Sequence, residues 1–330
     1  MVEFAQFGAG RIGQIHAGNL ARSDSAKLRY VVDVDPKSAK KLAEKYGAKA
    51  VDRDTALGDP KVGAVVIASS TDTHADLAIA AAKAGKAIFC EKPIDLSLKR
   101  VDACLKVVAA AGVKMLVGFN RRFDPSFKSL HDRLRDGEIG ALEQVIVTSR
   151  DPSPPPLEYV KVSGGQFRDM TIHDFDMARW LLGEEPAEVF AAGSCMVDPD
   201  IGSLGDTDSV MVVMRTASGK LAHINNSRRA IYGYDQRVEV LGSKGMLRAG
   251  NRTPTTVERA GIDGVARDKP LHFFLERYAE AYAAEMAHFI AALGNGVPPS
   301  VGPKDGRQAL VLAEAALKSM KTGAVVKIPQ

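Results

Sequence analysis

The chain has 330 residues, which exceeds the usual size of one hydrophobic core and favours two domains. Its 45% hydrophobic and 25% charged residues are typical of an ordinary globular protein, and a net charge of +4 without a basic stripe argues against nucleic-acid binding. The three cysteines show no metal-binding spacing, and no apolar run is long enough to cross a bilayer.

The first residues carry no basic segment followed by an apolar segment, so they do not resemble a signal peptide. The odd number of cysteines argues against a disulfide framework and fits a reducing compartment. We therefore expect a cytoplasmic protein with neither a membrane nor a nucleic acid as its partner.

Predicted strands and helices alternate over the first 120 residues. The run at 62–70 is almost continuously apolar, as expected of a strand that is covered on both faces. Two of the helical stretches stop at a glycine, Gly47 or Gly85. This alternation predicts a Rossmann domain over 1–120, with a doubly wound parallel sheet and right-handed crossovers.

The pattern changes after about residue 141, where strand-like runs dominate and a single helix is predicted at 172–182. The last three runs follow one another closely and predict antiparallel meanders around Gly219 and the turn at 242–245. The five runs lie at 143–150, 187–197, 208–216, 220–228 and 237–250.

Two helical stretches, at 273–293 and 304–321, follow these strands. We therefore predict an α+β domain over 121–330, with a mostly antiparallel open sheet and helices on one face. Whether the final helices pack back on the first domain is left open.

A glycine-rich turn follows the first predicted strand. Gly8, Gly10 and Gly13 form the pattern GxGxxG between a strand and a helix. The first glycine permits a tight turn, the second lets the backbone approach a pyrophosphate, and the third lets the helix lie close to the strand. The helix N-terminus then offers free N–H groups to phosphate. A turn without a ligand is the alternative, which the βαβ context disfavours.

Acidic residues at the end of the second predicted strand indicate which dinucleotide binds. Asp33 stands where a carboxylate would bind the ribose hydroxyls. Asp35 adds a second negative charge, which should repel a 2′-phosphate, so the sequence favours NAD over NADP. Arg11, inside the glycine-rich turn, weakens this preference because it is able to pair with a phosphate.

The stretch "FCEKP" ends a predicted buried strand with an acid, a base and a proline. In a doubly wound sheet, ligands bind beyond the carboxyl ends of the strands, so Glu91 and Lys92 should lie at the cofactor edge. Pro93 holds the preceding residue extended and fixes the direction of Lys92. A surface lysine paired with Glu91 is the alternative, and a cis Lys92–Pro93 bond is a hypothesis.

A third cluster lies in the segment 168–183. Thr171 and Asp174 form a capping-box pattern, which predicts a helix that starts near residue 172. His173 lies outside the apolar stripe of this helix, beside Asp169 and Asp176. The dipole at the helix start disfavours a charged imidazole, whereas the carboxylate of Asp169 favours it and holds the ring in one orientation. We therefore expect an oriented, mostly neutral imidazole. A helix-capping histidine with solvated acids is the alternative.

The motifs GAGRIG, VVDVD, FCEKPI, GFNRRFDPSF, TIHDFDMARWL and YGYDQRVEVLGSKGML occur in this order. This ordered set resembles the GFO/IDH/MocA oxidoreductases over nearly the whole chain. The resemblance implies that Lys92, Asp169 and His173 are catalytic. It implies reversible oxidation of a secondary alcohol, in which His173 takes the hydroxyl proton, Asp169 orients the histidine, and Lys92 polarises the same oxygen. The nicotinamide of NAD accepts the hydride.

The same resemblance suggests a substrate set around a small uncharged polyol, which demands many hydrogen bonds. Besides the catalytic trio, this set contains Arg122, Asp151 and Tyr234, whose alternatives are a strand-end ion pair, a turn or N-cap aspartate and a core tyrosine. No metal is expected, and a homotetramer built through the open sheets is implied. The predicted cofactor set consists of Gly8, Gly10, Arg11, Ile12, Gly13, Asp33, Ser70, His74, Glu91 and Lys92.

Several activities remain open from the sequence. The first expectation is oxidation of myo-inositol to its 2-keto derivative. A change of substrate to scyllo-inositol, glucose or another pyranose keeps the same chemistry. An NAD-dependent glycoside hydrolase and a non-catalytic NAD sensor change the class of protein, although the presence of the lysine and the histidine disfavours the sensor.

Overall fold

The computed structural model describes residues 1–328, which form two compact units. The first unit comprises Met1–Phe123 and Ala281–Leu310. The second unit comprises Asp124–Glu280 and the residues from Val311 onward. Each unit is built around its own sheet.

The sheet of the first unit has six parallel strands in the order β3-β2-β1-β4-β5-β6. This order is that of a Rossmann fold, so the predicted doubly wound parallel sheet is confirmed. The elements that alternate along it are β1 (Val2–Phe7), α1 (Arg11–Ala21), β2 (Ala26–Val32), α2 (Pro36–Lys45), β3 (Lys49–Ala50), α3 (Arg53–Gly58), β4 (Val62–Ile67), α4 (Thr71–Lys83), β5 (Ala87–Glu91), α5 (Leu98–Ala111), β6 (Met115–Gly118) and a 3-10 turn (Asn120–Phe123).

The core of this unit packs aromatic and aliphatic side chains against its central strands. Phe4 on β1 and Phe89 on β5 make edge-on ring contacts with Phe289, at centroid distances of 6.2 and 5.7 Å. All three rings are fully buried. Phe289 and Met286 come from a helix late in the chain, which therefore completes the core of the first unit.

The remaining elements follow in chain order. They are α6 (Pro125–Arg135), β7 (Leu142–Arg150), α7 (Leu157–Ser163), α8 (Gln166–Asp169), α9 (Thr171–Leu182), β8 (Pro186–Ser194), α10 (Pro199–Ser203), β9 (Ser209–Thr216), β10 (Leu221–Ser227), β11 (Asp235–Gly242), β12 (Gly245–Ala249), β13 (Glu258–Gly261), β14 (Gly264–Arg267), α11 (Phe274–Arg277), α12 (Ala279–Gly294), α13 (Pro303–Thr322) and β15 (Val326–Lys327).

The sheet of the second unit has seven strands in the order β12-β11-β7-β10-β9-β8-β15. Only β7 and β10 pair in parallel, and every other neighbouring pair is antiparallel. The predicted mostly antiparallel sheet is therefore confirmed. The predicted run of three successive meander strands is wrong in one respect, because β7 lies between β10 and β11.

One face of this sheet is covered and the other is open. Along β9, Val210, Val212 and Met214 are buried, whereas Met211 and Val213 are 57% and 46% exposed. Helix α9 packs against β7 and β10. This alternation of exposure is what a sheet with helices on one face requires.

The helix predicted at 273–293 is in fact two helices, α11 and α12. Tyr278 ends α11 with φ −113° and ψ 15°. Its hydroxyl donates to the Gln236 side chain at 2.9 Å, and its ring meets that of Tyr234 edge-on. These tertiary contacts of a buried tyrosine account for the break in an otherwise strong helical pattern. The exposed hairpin β13–β14 was also not predicted, since its sequence has few apolar residues.

Candidate active site

The glycine-rich turn between β1 and α1 has the geometry that the sequence predicts. Gly8 has φ +103°, and a Cβ atom there would lie 2.3 Å from the Ala68 carbonyl oxygen. A Cβ atom at Gly13 would lie 2.2 Å from the Gly8 carbonyl oxygen. A Cβ atom at Gly10 would meet nothing within 4 Å, so the chain leaves open space above the exposed glycine that precedes α1. This is where a pyrophosphate would approach the backbone.

A buried glutamine that the sequence analysis missed braces the same turn. The Gln6 amide nitrogen donates to the carbonyl oxygens of Gly8 and Gly13, at 2.9 and 2.8 Å. Its side chain is fully buried in β1. A polar residue inside the apolar run "VEFAQF" was the available signal, because a buried amide needs hydrogen-bond partners.

The acids that follow β2 bind backbone groups nearby. Asp33 accepts hydrogen bonds from the backbone N–H groups of Ala9, at 2.6 Å, and Asp35, at 2.8 Å. Asp35 caps α2 and accepts from the Ser38 hydroxyl at 2.6 Å. That hydroxyl bond and the Lys37 backbone N–H lower the pKa of Asp35. Two negative charges therefore lie at the end of β2, and Asp33 contacts the glycine-rich turn directly.

Arg11, Ile12 and Ser70 belong to the N-terminal ends of two helices that follow strands. Arg11 is the first residue of α1 and is exposed, and Ile12 is half-buried. Ser70 is the exposed N-cap of α4, and its side chain makes no cap hydrogen bond. Both helices follow central strands of the parallel sheet, where helix N-termini face a bound dinucleotide. These positions are compatible with the predicted cofactor set, and their role stays a prediction.

Glu91 is bound by a histidine that sequence reasoning missed. The Nε2 atom of His16 lies 2.7 Å from Glu91 Oε1, and both residues are buried. His16 belongs to α1, whereas Glu91 ends β5. The pair joins the helix that follows the glycine-rich turn to the strand that carries Lys92.

The turn after β5 contains the cis peptide bond that the sequence left open. The Lys92–Pro93 bond is cis, and Lys92 is half-buried. The Pro93 carbonyl oxygen lies 2.8 Å from Nδ1 of the buried His74, whose Nε2 lies 3.1 Å from the Ser69 carbonyl oxygen. His74 therefore ties the turn after β4 to the turn after β5.

Asp169 has partners on both carboxylate oxygens. The Tyr159 hydroxyl donates to Oδ1 at 2.8 Å, and the Arg228 Nη2 group donates to Oδ2 at 3.2 Å. Burial of the hydroxyl and the nearby Asp169 carboxylate raise the pKa of Tyr159, so this group stays a donor. Arg228 also lies 3.9 Å from Asp151 Oδ2. Neither Tyr159 nor Arg228 was predicted as a partner of Asp169. The contact of Arg228 depends on the order of the strands, which the sequence did not predict.

His173 lies in the first turn of α9, as predicted, but the predicted capping box is wrong. The N-cap is Met170, which makes no side-chain cap bond. The Thr171 hydroxyl donates instead to Asn226 Oδ1 at 2.7 Å, and the Asn226 amide donates to Asp174 at 2.8 Å. A buried strand side chain has displaced the local cap. Asp176, one of the two acids beside His173, is buried as well, so the alternative in which both acids are solvated does not hold for that residue.

Asp169 and His173 are one helical turn apart. Met170, between α8 and α9, has φ −93° and ψ −59°, which keeps the backbone in the helical region. Residues with this spacing lie on the same face of a helix. His173 is half-buried, whereas its neighbours Ile172 and Phe175 are fully buried.

The three other predicted substrate residues have different surroundings. Arg122 donates to Asp305 at 2.8 Å within the first unit, which is the ion pair that the sequence left as an alternative. Asp151 lies after β7 beside Arg228, in the second unit. Tyr234 is 6% exposed and packs edge-on against Phe273 and a second tyrosine, as expected of a core tyrosine. Their roles with substrate stay predictions.

The predicted residues thus fall into two groups, one in each unit. The first unit holds the glycine-rich turn, Asp33 and Lys92, and the second holds Asp151, Asp169 and His173. No helix among residues 1–328 is long and apolar enough to span a membrane. The same range contains no group of three or more His, Cys, Asp or Glu side chains arranged to hold a metal ion.

The first unit has a Rossmann sheet with open space at the second glycine of its glycine-rich turn, and the second unit is an α+β domain with a histidine one helical turn after a carboxylate. These features are typical of a two-domain NAD-binding oxidoreductase. Residues 2–119 match the oxidoreductase family with an NAD-binding Rossmann fold, and residues 127–248 match the GFO/IDH/MocA C-terminal domain. The chain belongs to the GFO/IDH/MocA oxidoreductase family, as the sequence motifs predicted.

Named relatives cover nearly all of the chain. Inositol 2-dehydrogenase of Rhizobium meliloti (strain 1021) is 53% identical, covering 97% of each chain. Myo-inositol 2-dehydrogenase of Thermotoga maritima is 49% identical, covering 98% of this chain and 97% of the relative. The crystal structure of scyllo-inositol dehydrogenase from Lactobacillus casei with bound NAD(H) and scyllo-inositol is 29% identical, with a TM-score of 0.93 and 99% coverage of each chain.

Proposed function

We propose that this protein is an NAD-dependent inositol 2-dehydrogenase that oxidises myo-inositol to 2-keto-myo-inositol. The observation that carries the proposal is the start of α9. There, His173 follows by one helical turn a carboxylate, Asp169, that Tyr159 and Arg228 hold on both oxygens. Full-length similarity to inositol 2-dehydrogenases agrees with this chemistry.

The chain's own residues divide the reaction between them. His173 accepts the proton of the substrate hydroxyl as general base, and Asp169 holds the imidazole in one orientation and stabilises the imidazolium. Lys92 donates to the same oxygen and stabilises the negative charge that develops there. When bound, NAD supplies the acceptor for the hydride that leaves the ring carbon. One C–H and one O–H bond break, and a ketone forms.

The residues of the first unit fit NAD. The open space at Gly10 and the N-terminus of α1 suit the pyrophosphate, because backbone N–H groups point outward from a helix start. Asp33 suits the ribose hydroxyls of the adenosine half, in the role that its position after β2 predicts. The remaining members of the proposed cofactor set are Arg11, Ile12, Ser70, His74, Glu91 and Lys92.

A polyol without charge is recognised through hydroxyl groups. Asp151, Arg122 and Tyr234 are the further side chains that we assign to the substrate. Lys92, Asp169 and His173 bind the reacting end. Scyllo-inositol is the second candidate substrate, because a relative of the same fold holds that isomer.

A homotetramer and a cytoplasmic location complete the proposal. Apolar side chains on the open sheet face support an assembly, since Met211, Val213 and Phe190 are 57%, 46% and 39% exposed. The three free thiols agree with a reducing compartment. Light scattering tests the assembly: a mass near four times 35.2 kDa is expected, and a mass near one chain contradicts it. Met211→Asp should shift the distribution to smaller species.

A panel of inositols and sugars with NAD tests the proposed activity. Myo-inositol should give NADH and a ketone in equal amounts, with scyllo-inositol next and glucose weaker. Release of a sugar from an aryl glycoside without net NADH would instead favour the hydrolase. NAD binding with no turnover on any member of the panel would favour the sensor.

A further inference from the structure

Two strand ends in the second unit place an acid and an arginine side by side. Strands β7 and β10 are parallel, with Ser227 opposite Arg150, so the next residues, Asp151 and Arg228, leave the sheet at the same edge. The Asp151 backbone N–H donates to the Ser227 carbonyl at 2.9 Å. The Arg228 N–H donates to the Asp208 carbonyl at 2.8 Å. The backbone of Arg228 is therefore fixed from both sides.

The Arg228 side chain is buried between two carboxylates. Only 2% of it is exposed, and its Nη2 and Nη1 atoms lie 3.2 Å from Asp169 Oδ2 and 3.9 Å from Asp151 Oδ2. Its Nε atom has no hydrogen-bond partner within residues 1–328. A buried guanidinium is tolerated only where nearby anions compensate its charge. The two aspartates fill that role, and Arg228 in turn compensates them.

Arg228 acts together with a neighbour on the same strand face. Side chains two residues apart along a strand point the same way, and Asn226 and Arg228 both face the covered side of the sheet. Asn226 binds Thr171 and Asp174 at the start of α9. Arg228 binds Asp169 at the end of α8. One strand end thus fastens the segment that presents His173.

We infer that Arg228 is a positioning residue for the reaction, which holds Asp169 in one orientation and offsets the joint negative charge of Asp151 and Asp169 so that His173 is neutral when substrate binds. This inference rests on the proposed function. It adds a residue that acts through Asp169, and it explains why an arginine is buried beside Asp151 and Asp169.

The charges around Asp169 come from several elements. The Tyr159 hydroxyl, on α7, donates to one oxygen of Asp169. The Arg228 guanidinium, after β10, donates to the other. Asp151 follows β7. On α9, the buried Asp176 lies 3.7 Å from Arg179. The titratable and charged groups in this region are Asp151, Tyr159, Asp169, His173, Asp174, Asp176, Arg179, Asp208 and Arg228. Arg228 lies within 4 Å of both Asp151 and Asp169.

Replacing the guanidinium with an uncharged chain should change the pH dependence as well as the rate. In Arg228→Met, Asp151 and Asp169 lose the guanidinium that lies against both, and His173, one helical turn after Asp169, should hold its proton to higher pH. The acid limb of the kcat/KM profile should therefore move upward by roughly one pH unit, since one nearby charge shifts a titration by about one to three units. Turnover on the alkaline plateau should fall by at least about tenfold, because Asp169 loses the hydrogen bond from Arg228.

Two further variants separate charge from packing. Arg228→Lys keeps the positive charge but not the planar, forked donor set, so its acid limb should stay in place while kcat falls by about fivefold. Arg229→Met is the matched control, since Arg229 is the adjacent, exposed arginine, and its profile should equal that of the wild type. Circular dichroism and NAD titration establish that each variant is folded and binds the cofactor.

The outcomes distinguish this inference from the proposed function. An acid limb of the kcat/KM profile that shifts in Arg228→Met, but not in Arg228→Lys or Arg229→Met, supports the role of Arg228. An unshifted limb, with or without loss of turnover, overturns it. If Arg228→Met does not fold, a folded Arg228→Lys with lowered kcat and an unshifted limb supports the role, whereas wild-type turnover in that variant overturns it. Failure of the wild-type protein to form NADH from any polyol contradicts the proposed function instead.

Discussion

His16 and Glu91 form a buried hydrogen bond of 2.7 Å between Nε2 and Oε1, and this bond links the two parts of the first unit that the proposed reaction uses. The His16 ring packs edge-on against Phe89 and Tyr282, with centroid distances of 4.7 and 5.8 Å. The absence of a side chain at Gly118 makes room for Glu91, because a Cβ atom there would lie 2.9 Å from Oε2. The residue after Glu91 is Lys92, so the bond anchors the strand end that presents the lysine.

His16→Ala should weaken both folding and cofactor binding. The change leaves a buried carboxylate without its donor and removes ring contacts, which lowers the free energy of unfolding by about 2–4 kcal/mol. NAD affinity should fall because α1 and the end of β5 are no longer joined. Urea denaturation and fluorescence titration with NAD measure the two effects.

His16→Gln keeps an N–H donor and should recover part of the NAD affinity. His131→Ala serves as the control in the second unit, where the His131 ring stacks on Trp180 with centroids 4.0 Å apart. It should leave NAD affinity unchanged. Equal NAD affinity in His16→Ala and the wild type would show that the bond is not needed for the cofactor site.

The proposed base and donor should each be essential for turnover. His173→Ala and Lys92→Ala should lower kcat by factors of about a hundred to ten thousand, the range for a general base or an electrostatic donor. His173→Ala should bind NAD normally, because the glycine-rich turn and Asp33 lie in the other unit. Lys99→Ala, at an exposed lysine of α5, is the control. A His173→Ala enzyme with most of its turnover would mean that another group takes the proton.

Cofactor choice should depend on the charge of Asp33. Asp33→Asn keeps an oxygen that accepts from the Ala9 N–H group, so the glycine-rich turn should be preserved. Loss of the negative charge should reduce the preference for NAD over NADP by roughly tenfold or more. The reason is that a carboxylate placed against the 2′-phosphate of NADP costs several kcal/mol. The ratio of kcat/KM values for the two cofactors measures it. An unchanged ratio would assign the discrimination to another residue.

Acid stability should depend on Asp59. The Lys61 backbone N–H, the Tyr30 hydroxyl and Arg29 lower the pKa of Asp59 from 3.8 to about 2. A lowered folded-state pKa stabilises the protein above the unfolded value, and this stabilisation is lost as pH falls from about 4 to 2. The Tm difference between wild type and Asp59→Asn should therefore shrink across that window. Asp54→Asn, at a carboxylate that is 82% exposed, should show no such trend.

The first domain was predictable because its signals are local. Strand and helix periodicity, helix-stopping glycines and the GxGxxG spacing each act within a few residues, and Gly8 and Gly13 have the close contacts that these roles demand. The order of strands in the second unit was not predictable in this way. The pairing of β7 with β10 and β11 joins residues far apart in sequence, and nothing in the short runs themselves selects the partner.

The candidate site shows the same division. In the sequence, Lys92 stands out because a proline follows it. His173 stands out because it lies outside the apolar stripe of its predicted helix. Gln6, His16 and Arg228 were missed because their partners come from distant segments, and a buried polar side chain looks like a surface one until its partner is known. Thr171 shows the reverse error, since a local capping pattern was overridden by Asn226 on a strand.

Transfer of a deuterium label tests hydride transfer most directly. Myo-inositol that carries deuterium at the oxidised carbon is incubated with the protein and NAD, and the NADH and ketone are analysed by mass spectrometry. We expect one deuterium in each NADH formed, one ketone for each NADH, and no label in the solvent. NADH without the label, label released to water, or no NADH from myo-inositol would contradict the assignment of this protein as an NAD-dependent inositol 2-dehydrogenase.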